Sequence, residues 1–297
     1  MSVSARIKEL NKRMSQKLTA RGVEASETET MTSLINKIDS LPTGQSDIDF
    51  SSFTDWRHFS YYNNRNTLVA KLKYSDTSKG IEFGGMFNGC SKLTTIPQLD
   101  TSKGTNFYTM FYGCSGLTTI PQLDTSNGTN FGNMFYGCSG LTTIPQLDTS
   151  KGIEFGGMFN GCSGLTTIPQ LDTSNGTNFS NMFNGCSGLT TIPQLDTSKG
   201  TGFGNMFYGC SALTNLTIAG SINTSGMNLK SATKLSKASI TSVVNALSAS
   251  ASGKSITFSK TAIDSAFETS SGAADGSTSD EWLNLIATKS NWTISLI

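Results

Sequence analysis

The strongest constraint on this chain is a 24-residue unit that recurs six times through its centre. The string Asp-Thr-Ser-(Lys/Asn)-Gly begins at Asp76, Asp100, Asp124, Asp148, Asp172 and Asp196. Each unit continues with Phe-x-x-Met-Phe-x-Gly-Cys-Ser-x-Leu-Thr, and five of the six end in Thr-Ile-Pro-Gln-Leu. A unit of this size cannot bury a core alone, but stacked units can share one. The sequence therefore predicts a solenoid of six coils over residues 76–218.

Within each coil, the residue types predict where the strand and the turn lie. The Leu-Thr-Thr-Ile segment, residues 117–120 in the second coil, has strand propensity. The Asn-, Gly- and Thr-rich stretch before Met-Phe suits a turn that leads into a short helix or 3₁₀ segment. We therefore expect an α/β repeat solenoid in which each coil adds one short parallel strand and buries its Met, Phe, Cys, Leu and Ile.

Every cysteine of the chain lies at the same position of this unit. The six are Cys90, Cys114, Cys138, Cys162, Cys186 and Cys210. One thiol per coil beside a Met-Phe pair indicates a column of buried free thiols rather than a disulfide framework. Metal binding would need clustered ligands such as Cys-x-x-Cys, which the sequence lacks, and its one histidine, His58, lies outside the repeat. We therefore expect no metal and no cofactor.

The aspartate that opens each coil is expected to stack about 5 Å from the next, where carboxylates repel unless something compensates them. The simplest compensation is an Asx-type turn, in which the carboxylate accepts hydrogen bonds from the Thr-Ser-x-Gly backbone. The lysines that would lie nearby are Lys79, Lys103, Lys151 and Lys199. The alternative is a ladder of calcium ions bridged by carboxylates, for which one Asp per coil supplies few ligands.

A few positions change from coil to coil, and these define a candidate recognition surface. Residue 79 and its equivalents alternate between Lys and Asn, whereas residue 88 and its equivalents alternate between Asn and Tyr. The surface comprises Tyr108, Tyr112, Tyr136, Tyr208, Lys103, Asn127, Lys151, Asn175 and Lys199. Tyrosine beside adaptable polar side chains is typical of surfaces that recognise a partner. The alternative is drift at positions that have no structural demand.

Residues 1–41 are a charged segment with two amphipathic helical patterns. The first ends at Arg21-Gly22, and Ser26 with Glu29 has the spacing of a capping box that opens the second. Their apolar stripes include Ile7, Leu10, Met14, Leu18, Leu34 and Ile38. Because so small a helical hairpin buries little surface alone, we expect these residues to pack against another copy of the chain or another component of an assembly.

The flanks of the repeat are interpreted as caps that cover the open ends of the solenoid. Residues 42–75 combine the aromatic run Phe50–Tyr62 with an alternating, strand-like stretch at 66–74; an aromatic binding patch is the alternative reading of that run. Residues 219–297 are rich in Ser and Ala. They predict a helix at 239–247, a strand at 254–258, a helix at 280–289 with Asp280 as its N-cap, and a strand-like end at 291–294.

Several function classes are disfavoured by the sequence. The formal net charge of +1 gives no field for nucleic acid or an anionic membrane. The sequence has no apolar run long enough to cross a bilayer and no apolar signal core behind its basic start, so we expect synthesis in the cytoplasm without membrane insertion. It contains no P-loop, GxGxxG, HExxH or GxSxG motif, and we therefore expect a protein that is not an enzyme.

The repeat, with its Asn-Phe-x-x-Met-Phe-Tyr-Gly-Cys-Ser-x-Leu-Thr-x-Ile-Pro-x-Leu-Asp-Thr-Ser run, resembles the BspA-like leucine-rich repeats of bacterial surface proteins. The likeness covers about half of the chain. It implies a right-handed solenoid of leucine-rich-repeat type, a C-terminal cap, and roles in adhesion or in binding proteins and glycans rather than in catalysis.

The N-terminal segment resembles the short helical leader of many phage tail and minor structural proteins, through Leu10, Leu18-Thr19, Gly22-Val23, Ala25-Ser26, Thr28-Glu29-Thr30 and Leu34-Ile35-x-Lys37-Ile38. This likeness implies a bacteriophage virion protein, such as a tail fibre, baseplate decoration or head fibre. Its partners would be other virion proteins and its own copies through residues 1–41, and a host surface glycan or protein through the solenoid. The alternative is a bacterial cell-surface or secreted adhesin.

Overall fold

The computed structural model of the chain describes residues 77–267 and 280–297, together with residues 12, 15, 16, 18, 19, 25 and 26. The predicted cap at 42–75 and most of the predicted helical hairpin at 1–41 lie outside these residues. Leu18 is the one proposed assembly residue that is described: it belongs to a helical stretch and is 1% exposed, so its side chain is buried within the chain itself. Ile7, Leu10, Met14, Leu34 and Ile38 lie outside the described residues.

The centre of the chain is a repeat solenoid whose core consists of columns of identical side chains. The Met, Cys and both Phe positions of all six coils are 0% exposed. Two phenylalanine columns run from Phe83 to Phe203 and from Phe87 to Phe207, with neighbouring ring centroids 5.4–5.9 Å apart and nearly parallel ring planes. This confirms that successive units stack in register and bury the apolar residues of the repeat.

Backbone hydrogen bonds join each coil to the next through the segment around Phe-x-x-Met-Phe-x-Gly. In the first coil, the N–H groups of Phe83, Gly85, Phe87 and Gly89 donate to carbonyl oxygens of the second coil at 2.6–2.9 Å. The N–H groups between them turn back to carbonyl oxygens three residues earlier in the same coil. The segment is therefore a run of turns closed over three residues, as in a single 3₁₀ turn, and the predicted turn is confirmed. No continuous helix forms there, because alternate donors are used between coils.

Strands in the Leu-Thr-Thr-Ile region form only in the last two coils. Strand β1 (Thr191–Asp196) pairs in parallel with β2 (Asn215–Ala219), and one bridge joins Thr167 to Thr191. The prediction of a strand at this place in every coil is wrong for the first four coils. Parallel bridges connect Glu82 and its equivalents through the six coils instead.

Proline accounts for much of this difference. Each of the first five coils has a proline here, and a proline has no N–H to donate to a strand partner. The glutamine after it supplies an inter-coil bond, since Gln98 Nε2 donates to the Gln122 carbonyl at 2.7 Å and the next three coils repeat this contact. In the sixth coil Thr217 replaces the proline and β2 forms; the fifth coil pairs with it as β1, although the register of that pairing shifts between Ile192 and Leu195, around Pro193.

In its described residues, the C-terminal segment adds three helices and a second sheet. It comprises β3 (Asn228–Leu229), α1 (Lys237–Ala246), β4 (Lys254–Phe258), α2 (Lys260–Ala266), α3 (Asp280–Ala287) and β5 (Trp292–Leu296). The three strands form a parallel sheet in the order β3-β4-β5. The predicted helices at 239–247 and 280–289 and the predicted strands are confirmed within two residues, whereas β3 and α2 were not predicted. Asp280 is the first residue of α3 rather than its N-cap.

Helix α1 covers the outer edge of β2, the edge on which a further coil would otherwise stack. The Leu216 N–H donates to Ser239 Oγ and the Ile218 N–H donates to Ser242 Oγ, both at 2.9 Å. These hydroxyls stand in for the carbonyl oxygens of a next coil, and an unpaired strand edge is the usual site of unwanted pairing. The two serines therefore end the ladder.

Candidate recognition surface

The opening turn of each coil is held by its aspartate. In coils two to six the Asp Oδ1 accepts a hydrogen bond from the N–H of the serine two residues later, at 2.8–3.0 Å. The serine side chain and then its N–H lower the pKa of Asp124, Asp148 and Asp196. The predicted Asx-type turn is confirmed. No three His, Cys, Asp or Glu side chains within the described ranges are arranged to hold a metal ion.

A buried threonine follows each of these aspartates and ties the turn to the next coil. Thr101 is 1% exposed, and its Oγ1 donates to the backbone carbonyl of Asp124 at 2.8 Å. Its equivalents from Thr77 to Thr173 repeat this bond at 2.8–2.9 Å. The turns on this side of the coil are therefore fixed to one another along the whole stack.

The cysteine column is buried and contains no disulfide, as predicted. In five coils the cysteine thiol donates to the backbone carbonyl of the phenylalanine in the Met-Phe pair of the preceding coil. Cys114 Sγ, for example, donates to Phe87 O at 3.1 Å. Burial raises the pKa of Cys138 and Cys210 to about 12. A thiol that stays protonated is a poor nucleophile, so this column packs the core and offers no reactive group.

The Lys/Asn positions form a column of their own on the surface. Lys151 Nζ donates to Asn127 Oδ1 and Lys199 Nζ donates to Asn175 Oδ1, each at 2.6 Å. Both asparagines in turn donate to a serine carbonyl of the coil before, at 2.8–2.9 Å. Lys103 is exposed at the same place in the second coil. These side chains are ordered by contacts along the stack, which leaves less of their hydrogen-bonding capacity for a partner.

Three of the four predicted tyrosines lie on adjacent coils. Tyr108 and Tyr112 belong to the second coil and are 46% and 36% exposed, and Tyr136 belongs to the third. The rings of Tyr112 and Tyr136 stack with centroids 4.5 Å apart and planes 7° from parallel. Tyr108, Tyr112 and Tyr136 are called the tyrosine cluster below. In the stacked pair each ring covers part of the face of the other, so the contact fixes both side chains along the stack.

Tyr208 lies apart from this cluster, three coils further along the stack. It is 40% exposed, and Lys230 Nζ lies 5.2 Å from the centre of its ring. No hydrogen bond or ring contact in the described part of the chain joins a tyrosine to the Lys/Asn column. The structure thus divides the predicted surface into a tyrosine cluster, a separate tyrosine and a Lys/Asn column.

Two residues that shape the cluster were not singled out from the sequence. A Cβ atom placed on Gly132 would lie 3.2 Å from Tyr108 Cδ2, so the Tyr108 ring rests against the glycine of the next coil. Thr109 has a backbone φ of +54°, a region that a β-branched residue rarely adopts. The signal was present, because the equivalents of Thr109 are glycine or asparagine in every other coil, the residues that favour this conformation.

No helix in the described ranges is both long and apolar enough to cross a membrane. Taken together, the stacked columns and the surface they support define a repeat solenoid protein with an ordered outer face. The chain matches the pattern of the family described as Mycoplasma protein of unknown function, DUF285, over residues 29–143, 57–167 and 133–242. These overlapping matches span most of the chain, which therefore belongs to that family. No curated protein matches the sequence.

Proposed function

We propose that this protein is a non-enzymatic attachment protein whose solenoid holds the tyrosine cluster toward a partner on a cell surface. The observation that carries the proposal is the exposed Tyr108 beside the stacked, partly exposed pair Tyr112–Tyr136, on a backbone fixed by bonds between coils. Large exposed aromatic rings cost free energy in water, and a rigid pair loses little entropy when a partner covers it. Such a pair suits binding better than it suits the packing of a monomer.

The finer form of the fold is part of the same proposal. The parallel bridges between coils and the columns of Leu, Ile and Cys support a leucine-rich-repeat coil of the BspA-like type. We propose that the coils wind with the right hand that this resemblance implies. A binding role also agrees with the buried thiols, since the most obvious nucleophiles of the repeat are enclosed in its core.

Two settings for such an attachment protein are compatible with the sequence. One is a bacteriophage virion, as a tail fibre, baseplate decoration or head fibre joined to its neighbours through residues 1–41; the leader resemblance supports this setting. The other is a bacterial cell-surface or secreted adhesin, which the BspA-like resemblance of the repeat supports. In both settings the solenoid presents the same face to a host glycan or protein.

The test of attachment uses the full-length chain. Beads coated with it are incubated with bacterial and animal cells, and bound beads are counted by flow cytometry against beads coated with an unrelated protein. We expect binding to at least one cell type that soluble chain competes away. Binding no greater than that of the control beads on every cell type would refute the attachment function.

A second measurement decides between the virion and the bacterial cell surface. Antibodies raised against the chain are applied to intact cells and to purified phage particles from the same culture, and gold labelling is compared by electron microscopy. Labelled particles with unlabelled cells would support the virion, and labelled cells with unlabelled particles would support the adhesin.

A further inference from the structure

The C-terminal sheet has an open outer edge at β5. The Ile297 N–H donates to the Phe258 carbonyl at 3.1 Å, and the Ile297 carbonyl accepts the Lys260 N–H at 2.9 Å, so both backbone groups of Ile297 face β4. Successive residues of a strand turn these groups to opposite sides. The N–H and C=O groups of Ile294 and Leu296 therefore point away from the sheet, and they make no hydrogen bond within the described residues.

The chain does not guard this edge as it guards the edge of β2. Ser239 and Ser242 close the edge of β2, and other sheets guard an open edge with charged side chains, prolines or bulges. Residues 292–297 contain no charge and no proline. The pairing of β5 with β4 runs over five successive residues without a shift in register. The strand is therefore regular and ready to pair along its outer side.

The side chains along this edge are apolar and incompletely buried. Ile294 and Leu296 lie beside Ile256 and Phe258 of β4, which are 1% and 0% exposed, but are themselves only half-buried. They lack a neighbouring strand on one side. Ile297 is 70% exposed, more than any other large hydrophobic residue in the described part of the chain. A further strand along β5 would remove apolar surface from water and pair the open backbone groups.

A second copy of β5 fits this edge in one register. In antiparallel pairing about a two-fold axis through Ser295, Ile294 lies opposite Leu296 of the second copy, and each pair exchanges two N–H···O bonds. All the outward N–H and C=O groups of Ile294 and Leu296 are then used. A shift by two residues would instead set Leu296 opposite Trp292, whose N–H is already bonded to the Lys289 carbonyl.

A strand from a different protein fits these observations less well. Selection of a foreign strand at a sheet edge depends on charges or pockets beside the edge that recognise its side chains. Residues 292–297 carry no charge. In a pair of β5 strands no like charges oppose each other, and the half-buried Ile294 of one copy meets Leu296 of the other.

We propose that β5 is a self-association edge, through which two copies of the chain join their sheets into one continuous sheet of six strands. Pairing about a two-fold axis closes the edge of both copies at once and leaves none for a third. The dimer does not depend on the attachment function. It would carry two tyrosine clusters, and two contacts on one cell hold more tightly than one.

The first test measures the mass of the full-length chain by sedimentation equilibrium over a wide range of concentration. We expect a dimer that dissociates on dilution, because a strand of five residues gives a small interface. Ser295→Lys and Ser295→Asp each set like charges across the two-fold axis and should weaken dimerisation at least about tenfold. A mixture of the two variants sets opposite charges across the axis and should restore the dimer.

Ser187→Lys is the matched control, since it places the same charge on an exposed serine of the solenoid and should dimerise like the unaltered chain. A chain that is monomeric at every concentration would overturn the proposal. An oligomer whose mass is unchanged by Ser295→Lys would also overturn it, because self-association would then use another surface, such as residues 1–41. Circular dichroism checks that each variant is folded.

If the Ser295 variants unfold, Leu296→Pro takes their place, because it removes an N–H that β4 does not use. An unaltered dimer in this variant would overturn the register.

Hydrogen exchange separates a second copy from another part of the same chain as the occupant of the edge. The amides of Ile294 and Leu296 should exchange fast in dilute solution and at least about tenfold more slowly once the dimer forms. Slow exchange of both amides in the dilute monomer would show that the edge is already covered within one chain, and the dimer would be refuted.

Discussion

Thr109 offers the sharpest test of how the coils are built, since it is the one β-branched residue with positive φ among the described residues. Its φ of +54° matches those of Asn133, Asn181 and Asn205 at the same coil position, which lie between 53° and 58°. The left-handed region costs a residue with a Cβ atom roughly 1–2 kcal/mol, and asparagine less than most. The substitution Thr109→Asn should therefore stabilise the chain by about 1 kcal/mol.

The structure also defines what this substitution loses. Thr109 Oγ1 donates to the carbonyl of Tyr108 at 2.7 Å, a local and solvent-accessible bond that contributes little beyond what water would replace. Urea unfolding followed by circular dichroism measures the balance. A gain of about 1 kcal/mol raises the unfolding midpoint by about 0.3–1 M, for a slope of about 1–3 kcal/mol per molar urea.

The reverse substitution is the matched control. Asn205 is exposed, has a φ of 53°, and its side chain makes no hydrogen bond within the described residues. Asn205→Thr should lower the midpoint by a similar amount. If Thr109→Asn destabilises the chain, or if Asn205→Thr leaves its stability unchanged, backbone conformation does not set the residue preference at this position.

The remaining predictions concern the core, the turns and the end of the ladder. Phe135→Ala removes a ring stacked on both sides and should cost about 3–5 kcal/mol of unfolding free energy, measured with urea; a loss under 1 kcal/mol would contradict the column. Thiols should resist Ellman's reagent at pH 8 in the native chain and react completely in guanidinium, because burial raises their pKa; fast native labelling would contradict this. Because the pKa of Asp148 is lowered in the folded chain, the stability that its carboxylate contributes is present above pH 3.8 and is lost as the pH falls through the lower pKa of the folded state. Asp148→Asn should therefore flatten the acid limb of a stability–pH curve, and an unchanged limb would refute the role of this turn. Ser239→Ala with Ser242→Ala should cost about 1–3 kcal/mol per unpaired N–H of β2, and a neutral double variant would show that the serines do not end the ladder.

The stacking of the coils was predictable because a fixed period places identical residues in identical surroundings. Each Phe, Met and Cys position is repeated six times, so chance cannot account for it, and burial of all of them follows from the size of one unit. Local hydrogen bonding was not predictable by the same reasoning. Strand propensity of Leu-Thr-Thr-Ile pointed to a ladder there, but the proline two residues after Thr119 removes a donor that such a ladder needs.

The residues of the candidate recognition surface came from the sequence, but their arrangement did not. Variation between coils identified the tyrosines and the Lys/Asn positions together, but variation carries no information on which side of a coil a residue faces. The contact of Tyr108 with Gly132 depends on two residues in different coils, one of which has no side chain. Only the structure shows that the rings of Tyr112 and Tyr136 stack on each other and that Tyr208 lies apart from them, beside Lys230.

The serines of α1 have a consequence for the length of the array. They close the sixth coil through backbone N–H groups of β2, a strand that lies at the end of the array, so the coils before it are free to vary in number. Residues 77–91 and 149–163 are identical, which is what duplication of whole units within a gene leaves behind. Deleting or inserting one 24-residue unit ahead of the last coil should thus give a shorter or longer folded chain, and populations carrying this gene are expected to differ in its length.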